Sequence, residues 1–122
     1  MKRLLTFIAF CCAMIGGYAN TIQSVDMQTF QHIIKDSTVV IVDVRTAPEY
    51  EQGHIPNAIL IDVKQADFLQ QVAQKLNKKQ TIALYCRSGR RSKHAAQLLL
   101  QHGYKVIELN AGFISWTGPV ER

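Results

Sequence analysis

The chain has 122 residues and a formal net charge of +5. Residues 20–122, which remain after a distinct N-terminal stretch, are enough for one compact domain with a modest core and too few for two. Much of the positive charge is local, because Arg87, Arg90, Arg91 and Lys93 lie within seven residues. No aromatic residue alternates with these cations, so the pattern favours a site for a small anion and argues against a nucleic-acid-binding surface.

The first segment, residues 1–19, has the pattern of a secretory signal peptide. Lys2 and Arg3 form a short basic start, residues 4–15 are almost entirely apolar, and small residues lead to Ala19. The apolar run is shorter than the roughly 20 residues that cross a bilayer. We therefore expect cleavage after Ala19, export to the periplasm and no stable membrane insertion, with an uncleaved anchor as the alternative.

Cleavage would remove Cys11 and Cys12 and would leave Cys86 as the only cysteine of the mature chain. A lone thiol in an oxidising compartment cannot form an internal disulfide, so Cys86 is either an inert core residue or a reactive group. The absence of a second cysteine in residues 20–122 also argues against a thiol–disulfide oxidoreductase, which needs one to resolve a mixed disulfide.

Helix and strand patterns alternate along the rest of the chain. In chain order they predict a short helix capped by Ser24, a buried strand at 38–44, one helical turn at 48–52 that stops at Gly53, a strand at 58–61, a helix at 67–76, a strand at 81–85, a helix from Ser92 to a stop at Gly103, and a last strand at 106–109.

This alternation predicts an α/β fold, a three-layer domain with a central, mostly parallel sheet flanked by helices. Ligands of such sheets bind outside the carboxyl ends of the strands. Asp43 and Arg45 follow one predicted strand and Cys86 follows another. We therefore expect all three to lie at the same edge of the sheet, with Cys86 as the catalytic residue and Asp43 and Arg45 in supporting roles.

The segment after Cys86 runs from a buried strand into a helix. Successive backbone N–H groups in such a turn form an anion-binding nest, and Gly89 permits the positive φ that a nest requires. The nest and its arginines favour the thiolate of Cys86 and would also receive an anionic substrate. We therefore predict a substrate-binding loop composed of Arg87, Ser88, Gly89, Arg90 and Arg91.

A thiolate in an anion-binding loop is suited to nucleophilic catalysis on sulfur. In the predicted reaction, Cys86 attacks the outer sulfur of thiosulfate and sulfite leaves. Cyanide or a thiol then takes the sulfur from the Cys86 persulfide. This two-step exchange predicts ping-pong kinetics, with thiosulfate as the small anionic donor.

Three segments resemble single-domain rhodaneses, and together they span nearly the whole of residues 20–122. They are the first signature segment (Asp43-Val44-Arg45, Glu49-Tyr50 and Gly53 to Ala58), the cysteine loop (Cys86-Arg87-Ser88-Gly89-Arg90-Arg91) and the closing segment (Asn110-Ala111-Gly112-Phe113 with Trp116). Asn57 and Ala111 stand where the family usually has glycine. The resemblance implies sulfur transfer through a persulfide at Cys86, with loop amides holding the sulfur and with no metal or organic cofactor.

Two other functions remain open beside the sulfurtransferase. Related phosphatases and arsenate reductases place their arginine one residue further from the cysteine, at the position of Ser92, so the loop ending at Arg91 fits sulfur better than phosphate. The second candidate is a persulfide-binding carrier that delivers sulfur to a partner protein and turns over slowly alone. For His54 we expect hydrogen bonds within its turn, and for the whole chain a monomer.

Overall fold

The computed structural model describes residues 21–122. The predicted signal peptide, residues 1–19, lies outside the described residues. Within them, no helix is both long enough and apolar enough to cross a bilayer.

A single five-stranded sheet forms the centre of the fold, and all of its strands are parallel. Its order is β1-β5-β4-β2-β3. The strands are β1 (Gln23–Val25), β2 (Val40–Asp43), β3 (Ile59–Leu60), β4 (Thr81–Tyr85) and β5 (Lys105–Leu109). Because β4 is the middle strand, the residue that follows it, Cys86, lies at the centre of the sheet's carboxyl edge.

Helices cover both faces of this sheet. They are α1 (Met27–Ile33), α2 (Ala47–Gln52), α3 (Phe68–Lys75) and α4 (Arg90–Gln101), followed by a short 3-10 turn (Phe113–Ser115). The predicted three-layer α/β fold is confirmed.

Two apolar clusters fill the spaces between the layers. On one face, Phe68 and Val72 of α3 and Ala95 and Leu99 of α4 pack against the sheet. On the other face, Phe30 of α1 packs with a second set of buried residues, among them Ile55, Ala58 and Tyr85. Side chains alternate between the faces along β4 because successive strand residues point to opposite sides. Cys86 continues this alternation and lies on the α4 face.

The start of the fold differs from the sequence expectation. The prediction that Ser24 caps the first helix is wrong, because Ser24 belongs to β1 and Asp26 is the cap, accepting the Thr29 N–H at 2.9 Å. The strand β1 was missed because its three residues carry no β-branched run. Its pairing with β5 and the hydrogen bond from the Ser24 hydroxyl to the Glu108 carboxylate hold it in the sheet.

The long helix α4 also begins earlier than expected, at Arg90 instead of Ser92. Gly89 precedes it with φ of 99°, in the left-handed region. This conformation lets the chain leave the cysteine loop and enter the helix directly, because glycine adopts positive φ without steric cost. The first two residues of the helix are therefore also the last two residues of the loop.

Asn57 occupies a tight turn in which its backbone has a positive φ. The Ala58 N–H donates to the Ile55 carbonyl at 3.0 Å, Pro56 is the second residue of the turn, and Asn57 is the third with φ of 70°. Proline followed by a positive φ is the pattern of a type II turn. Asparagine tolerates this conformation better than other residues with a side chain, so the chain can hold this turn without a glycine.

We predict that Asn57→Ala lowers the free energy of unfolding by about 1 kcal/mol, because alanine resists positive φ more strongly than asparagine. Asn57→Gly should be neutral or slightly stabilising. Urea denaturation of the three proteins measures both effects. Equal stability of the alanine and glycine variants would contradict the backbone explanation.

Candidate active site

The thiol of Cys86 is buried and hydrogen-bonded at the end of β4. The residue is 1% exposed and packs with the apolar cluster under α4. Its Sγ accepts the Gly89 backbone N–H at 3.1 Å and lies 3.5 Å from the Ser92 Oγ. An inert core cysteine accounts for the burial but not for an N–H group directed at the sulfur. The Gly89 N–H is therefore a donor that a negatively charged sulfur would accept, whereas the Ser92 Oγ is within reach of a thiol hydrogen.

The cysteine loop, residues 86–91, and the first turn of α4 present a row of backbone donors that, apart from Gly89, have no acceptor in the described part of the chain. The N–H groups of Arg90, Arg91 and Ser92 are in the first turn of α4, where no intrahelical acceptor exists. Within residues 21–122, the N–H groups of Arg87 and Ser88 also have no acceptor. A row of such N–H groups at the positive end of a helix forms an anion-binding nest.

The conformation of the loop depends on its glycine. Gly89 has φ of 99°, and a Cβ at this position would lie 2.2 Å from the carbonyl oxygen of Asn110. Only glycine satisfies both constraints. Its N–H is also the one that reaches the Cys86 sulfur, so the glycine supplies both the turn and a donor.

The closing segment, residues 110–116, donates hydrogen bonds to the first two carbonyl groups of the loop. Phe113 N–H donates to the Cys86 carbonyl at 2.8 Å, and Ile114 N–H donates to the Arg87 carbonyl at 3.0 Å. Gly112 permits this approach, because a Cβ there would lie 2.3 Å from the Arg87 carbonyl oxygen. Ala111 is exposed, so the alanine in place of the usual glycine meets no such constraint.

The four loop side chains predicted to bind substrate lie in different environments. Arg87, Ser88 and Arg90 are exposed. Arg91 instead donates to both carboxylate oxygens of Glu49, at 2.7 and 2.9 Å. The guanidinium of Arg91 is therefore paired with Glu49. The group of Arg91 that remains for binding an anion is its backbone N–H.

Glu49 joins α2 to the start of α4. Besides Arg91, its carboxylate accepts the backbone N–H and the hydroxyl of Thr46, at 3.1 and 3.0 Å. The Arg91 hydrogen bonds are the largest cause that lowers the pKa of Glu49, from 4.5 to about 2. This ion pair fixes the helix whose first turn belongs to the cysteine loop.

The two supporting residues form a buried pair with each other. Arg45 donates to the Asp43 carboxylate at 2.6 to 3.1 Å and to the Gly53 carbonyl at 2.7 Å. Its guanidinium carbon lies 4.4 Å from the centre of the Phe113 ring. Because Phe113 in turn bonds the carbonyl of Cys86, the pair reaches the loop through the closing segment and does not touch the thiol.

An open cleft of about 340 Å³ adjoins the cysteine loop. Its lining joins all three signature segments and consists of Arg45, Glu49, Gln52, Gly53, Arg87, Phe113 and Ile114. Arg87 is the member of the loop that faces this space.

His54 is held within its turn. Its Nδ1 lies 2.9 Å from the Tyr50 carbonyl oxygen, its Nε2 lies 3.3 Å from the Glu121 carboxylate, and its ring stacks on Tyr50. The contact with Tyr50 is of the kind expected within the turn, whereas the contact with Glu121, 67 residues away, ties the turn to the C-terminal segment.

The sequence reasoning missed Glu108, a buried carboxylate behind the cysteine. It is 0% exposed and accepts hydrogen bonds from Ser24 and Ser92, and the Lys93 ammonium lies 3.2 Å from it. A charged residue inside the otherwise apolar strand 106–109 was the available signal. Its partners lie on two other elements, β1 and α4, so the pattern of β5 alone did not reveal them.

Residues 26–118 match the protein family described as "Rhodanese-like domain", and this chain belongs to that family. The match includes all three signature segments. A rhodanese-like domain protein from Staphylococcus aureus has a similar crystal structure, with a TM-score of 0.72 and 28% identity, covering 82% of this chain and 97% of that one.

Three relatives have names that refer to sulfur transfer or sulfur carriage. A "Sulfurtransferase" of Allochromatium vinosum is 32% identical over 78% of this chain and 88% of its own length. "Thiosulfate sulfurtransferase GlpE" of Coxiella burnetii is 35% identical over 69% of this chain and 77% of its own. "Putative sulfur carrier protein YrkF" of Bacillus subtilis is 35% identical over 84% of this chain, which spans only 55% of that protein.

We predict that Glu49→Gln lowers the free energy of unfolding by about 1 kcal/mol at neutral pH, because it removes a partly exposed bidentate ion pair. The folded state lowers the pKa of Glu49, so this stabilisation is complete above pH 4.5 and is lost as the pH falls toward about 2. The difference between the two proteins should therefore vanish in acid.

Chemical denaturation at a series of pH values measures this difference. Glu51→Gln is the matched control, because Glu51 is an exposed carboxylate on the same helix. A difference between wild type and Glu49→Gln that persists unchanged at acidic pH would contradict the assigned ion pair.

Proposed function

We propose that the chain is a sulfurtransferase that moves a sulfane sulfur from thiosulfate to cyanide or a thiol through a persulfide on Cys86. The observation that carries the proposal is the hydrogen bond from the Gly89 N–H to the Cys86 sulfur, beside the N–H groups of Arg87, Ser88, Arg90 and Arg91, which have no acceptor within residues 21–122. Family membership and relatives named as sulfurtransferases support the class of reaction.

The substrate class follows from the charges around the loop. Thiosulfate and the persulfide are both anions, and free N–H groups together with the exposed Arg87 and Arg90 favour negative charge. Arg87 also lines the adjoining cleft, which gives an anionic donor a route toward the loop. Ser88 and Arg91 contribute their backbone N–H groups.

The reaction consists of two displacements at sulfur. The Cys86 thiolate attacks the outer sulfur of thiosulfate, the bond between the two thiosulfate sulfurs breaks, and sulfite leaves with the electron pair. Cyanide or a thiolate then attacks the outer sulfur of the persulfide, and the Cys86 thiolate leaves. The charge is conserved in each step, and neither displacement requires a metal or a redox cofactor.

A second candidate function is a sulfur carrier that holds the persulfide for a partner protein. The similarity to the Bacillus subtilis protein named as a sulfur carrier favours it. The deep burial of Cys86, which is 1% exposed, would also protect a persulfide from solvent. The two candidates share Cys86 and its loop and differ in how readily the sulfur leaves without a partner.

We predict steady thiocyanate formation from thiosulfate and cyanide, with parallel double-reciprocal plots because the exchange is ping-pong. Cys86→Ser should lower the rate by about a thousandfold or more, since the nucleophile is lost. Ser88→Ala changes an exposed loop side chain and keeps the backbone N–H, so it is the matched control and should retain most of the rate.

A single equivalent of thiocyanate without further turnover would favour the carrier. Full activity of the Cys86→Ser variant would contradict both candidates.

A further inference from the structure

The buried carboxylate of Glu108 is connected to the Cys86 sulfur through a single hydroxyl group, that of Ser92. It lies on β5, beside Leu84 of β4 and Ser24 of β1, on the face of the sheet that α4 covers. Its Oε1 accepts the Ser92 hydroxyl at 2.6 Å, and the same Ser92 oxygen is 3.5 Å from the Cys86 sulfur. The three side chains thus form a continuous row, Cys86 to Ser92 to Glu108.

The direction of the Ser92 proton decides what this row does. A hydroxyl has one hydrogen to donate, and Ser92 has three polar neighbours, namely the Glu108 carboxylate at 2.6 Å, the Gly89 carbonyl at 3.1 Å and the sulfur at 3.5 Å. The carboxylate is the strongest acceptor and is the nearest. The hydroxyl oxygen therefore turns its lone pairs to the sulfur, where it can accept from a thiol but cannot stabilise a thiolate.

Lys93 opposes this effect. Its ammonium is 3.2 Å from the Glu108 carboxylate and also donates to the Asn110 side chain at 2.9 Å. The positive charge neutralises the carboxylate and so weakens the repulsion between Glu108 and an anionic sulfur. Lys93 is 42% exposed, whereas Glu108 is fully buried, so solvent screens the lysine more than the carboxylate.

We propose that Glu108, acting through Ser92, is a positioning residue that favours the thiol form of Cys86 in the resting protein, and that Lys93 limits its effect. When Cys86 ionises, the thiol proton leaves to water and Ser92 turns its hydrogen from Oε1 of Glu108 to the sulfur. Only hydrogen bonds change in Ser92 and Glu108. The inference rests on the proposed role of Cys86 as the reactive thiol.

Other charged groups surround the thiol and remain the same in the variants that test this. Arg91, from the first turn of α4, is paired with Glu49 of α2, and its charge also interacts with Cys86 and Asp62. Arg87 and Arg90 of the loop are exposed. A change in the titration of the thiol on replacing Glu108 or Lys93 therefore reports on these two residues.

The test is the absorbance of the thiolate as a function of pH in the purified protein, with the spectrum of Cys86→Ser subtracted to remove other chromophores. Glu108→Gln should move the midpoint about one pH unit lower, because it removes the negative charge and frees the Ser92 hydrogen. Lys93→Met should move the midpoint about one pH unit higher, because Glu108 is then unpaired. The double variant should return close to the wild type.

Midpoints that shift in opposite directions in Glu108→Gln and Lys93→Met are the result that a merely structural role would not produce. Lys105→Met is the matched control, since Lys105 is exposed at the start of β5 and should leave the midpoint unchanged. Unchanged midpoints, or shifts of the same sign in both single variants, would overturn the proposal. If Glu108→Gln does not fold, Lys93→Met compared with the double variant isolates Glu108, and equal midpoints would likewise overturn it.

The readout does not depend on sulfur transfer. A protein that shows the opposite shifts but forms no thiocyanate would refute the proposed function and leave this inference standing. Thiocyanate formation without any shift of the titration midpoint would support the proposed function and refute this inference.

Discussion

The hydrogen bonds from the closing segment to the carbonyls of Cys86 and Arg87 are the constraint on which the site depends. They satisfy the carbonyls of Cys86 and Arg87, at 2.8 and 3.0 Å, and hold the loop so that the N–H groups of Arg87 and Ser88 keep no acceptor within residues 21–122. Gly112 makes the approach possible and Gly89 completes the turn. A loop held in this way is arranged for an anion before any anion arrives, which is the preorganisation that catalysis on charged sulfur requires.

The charges near the cysteine are more balanced than the basic sequence suggests. Of the four cations in the segment, Arg91 is paired with Glu49 and Lys93 with Glu108. Within the described residues, Arg87 and Arg90 are therefore the cations of this segment that no carboxylate pairs. The two carboxylates have different consequences. Glu49 positions α4 at its exposed side, whereas Glu108 lies in the core behind the sulfur and can influence its protonation.

The sequence predicted the layered fold and the position of the cysteine because both depend on strong local patterns. The strand Thr81–Tyr85 has the predicted bounds, since a short run of buried residues between a polar turn and a charged loop has few other structures open to it. The strand β1 has no such pattern. It forms because β5 offers an unpaired edge, which is a property of the assembled sheet.

Pairings between distant residues were equally out of reach of the sequence. The Arg91 and Glu49 positions are 42 residues apart, and nothing local distinguishes Arg91 from the exposed Arg87 and Arg90. Glu108 is a charge in an otherwise apolar strand, but its role becomes evident only from its contacts with Ser92 and Lys93 in the folded protein. Local composition thus located the chemistry, while the distribution of charge within the site depended on tertiary packing.

The most direct test of the account is the intact mass of the purified protein before and after thiosulfate is added. The account predicts that the wild type gains the mass of one sulfur atom, that cyanide removes it, and that Cys86→Ser gains nothing. The variant also assigns the adduct to Cys86 if Cys11 and Cys12 are present in the purified chain. A wild type that gains no sulfur, or a Cys86→Ser variant that gains as much as the wild type, would contradict the claim that Cys86 carries the transferred sulfur.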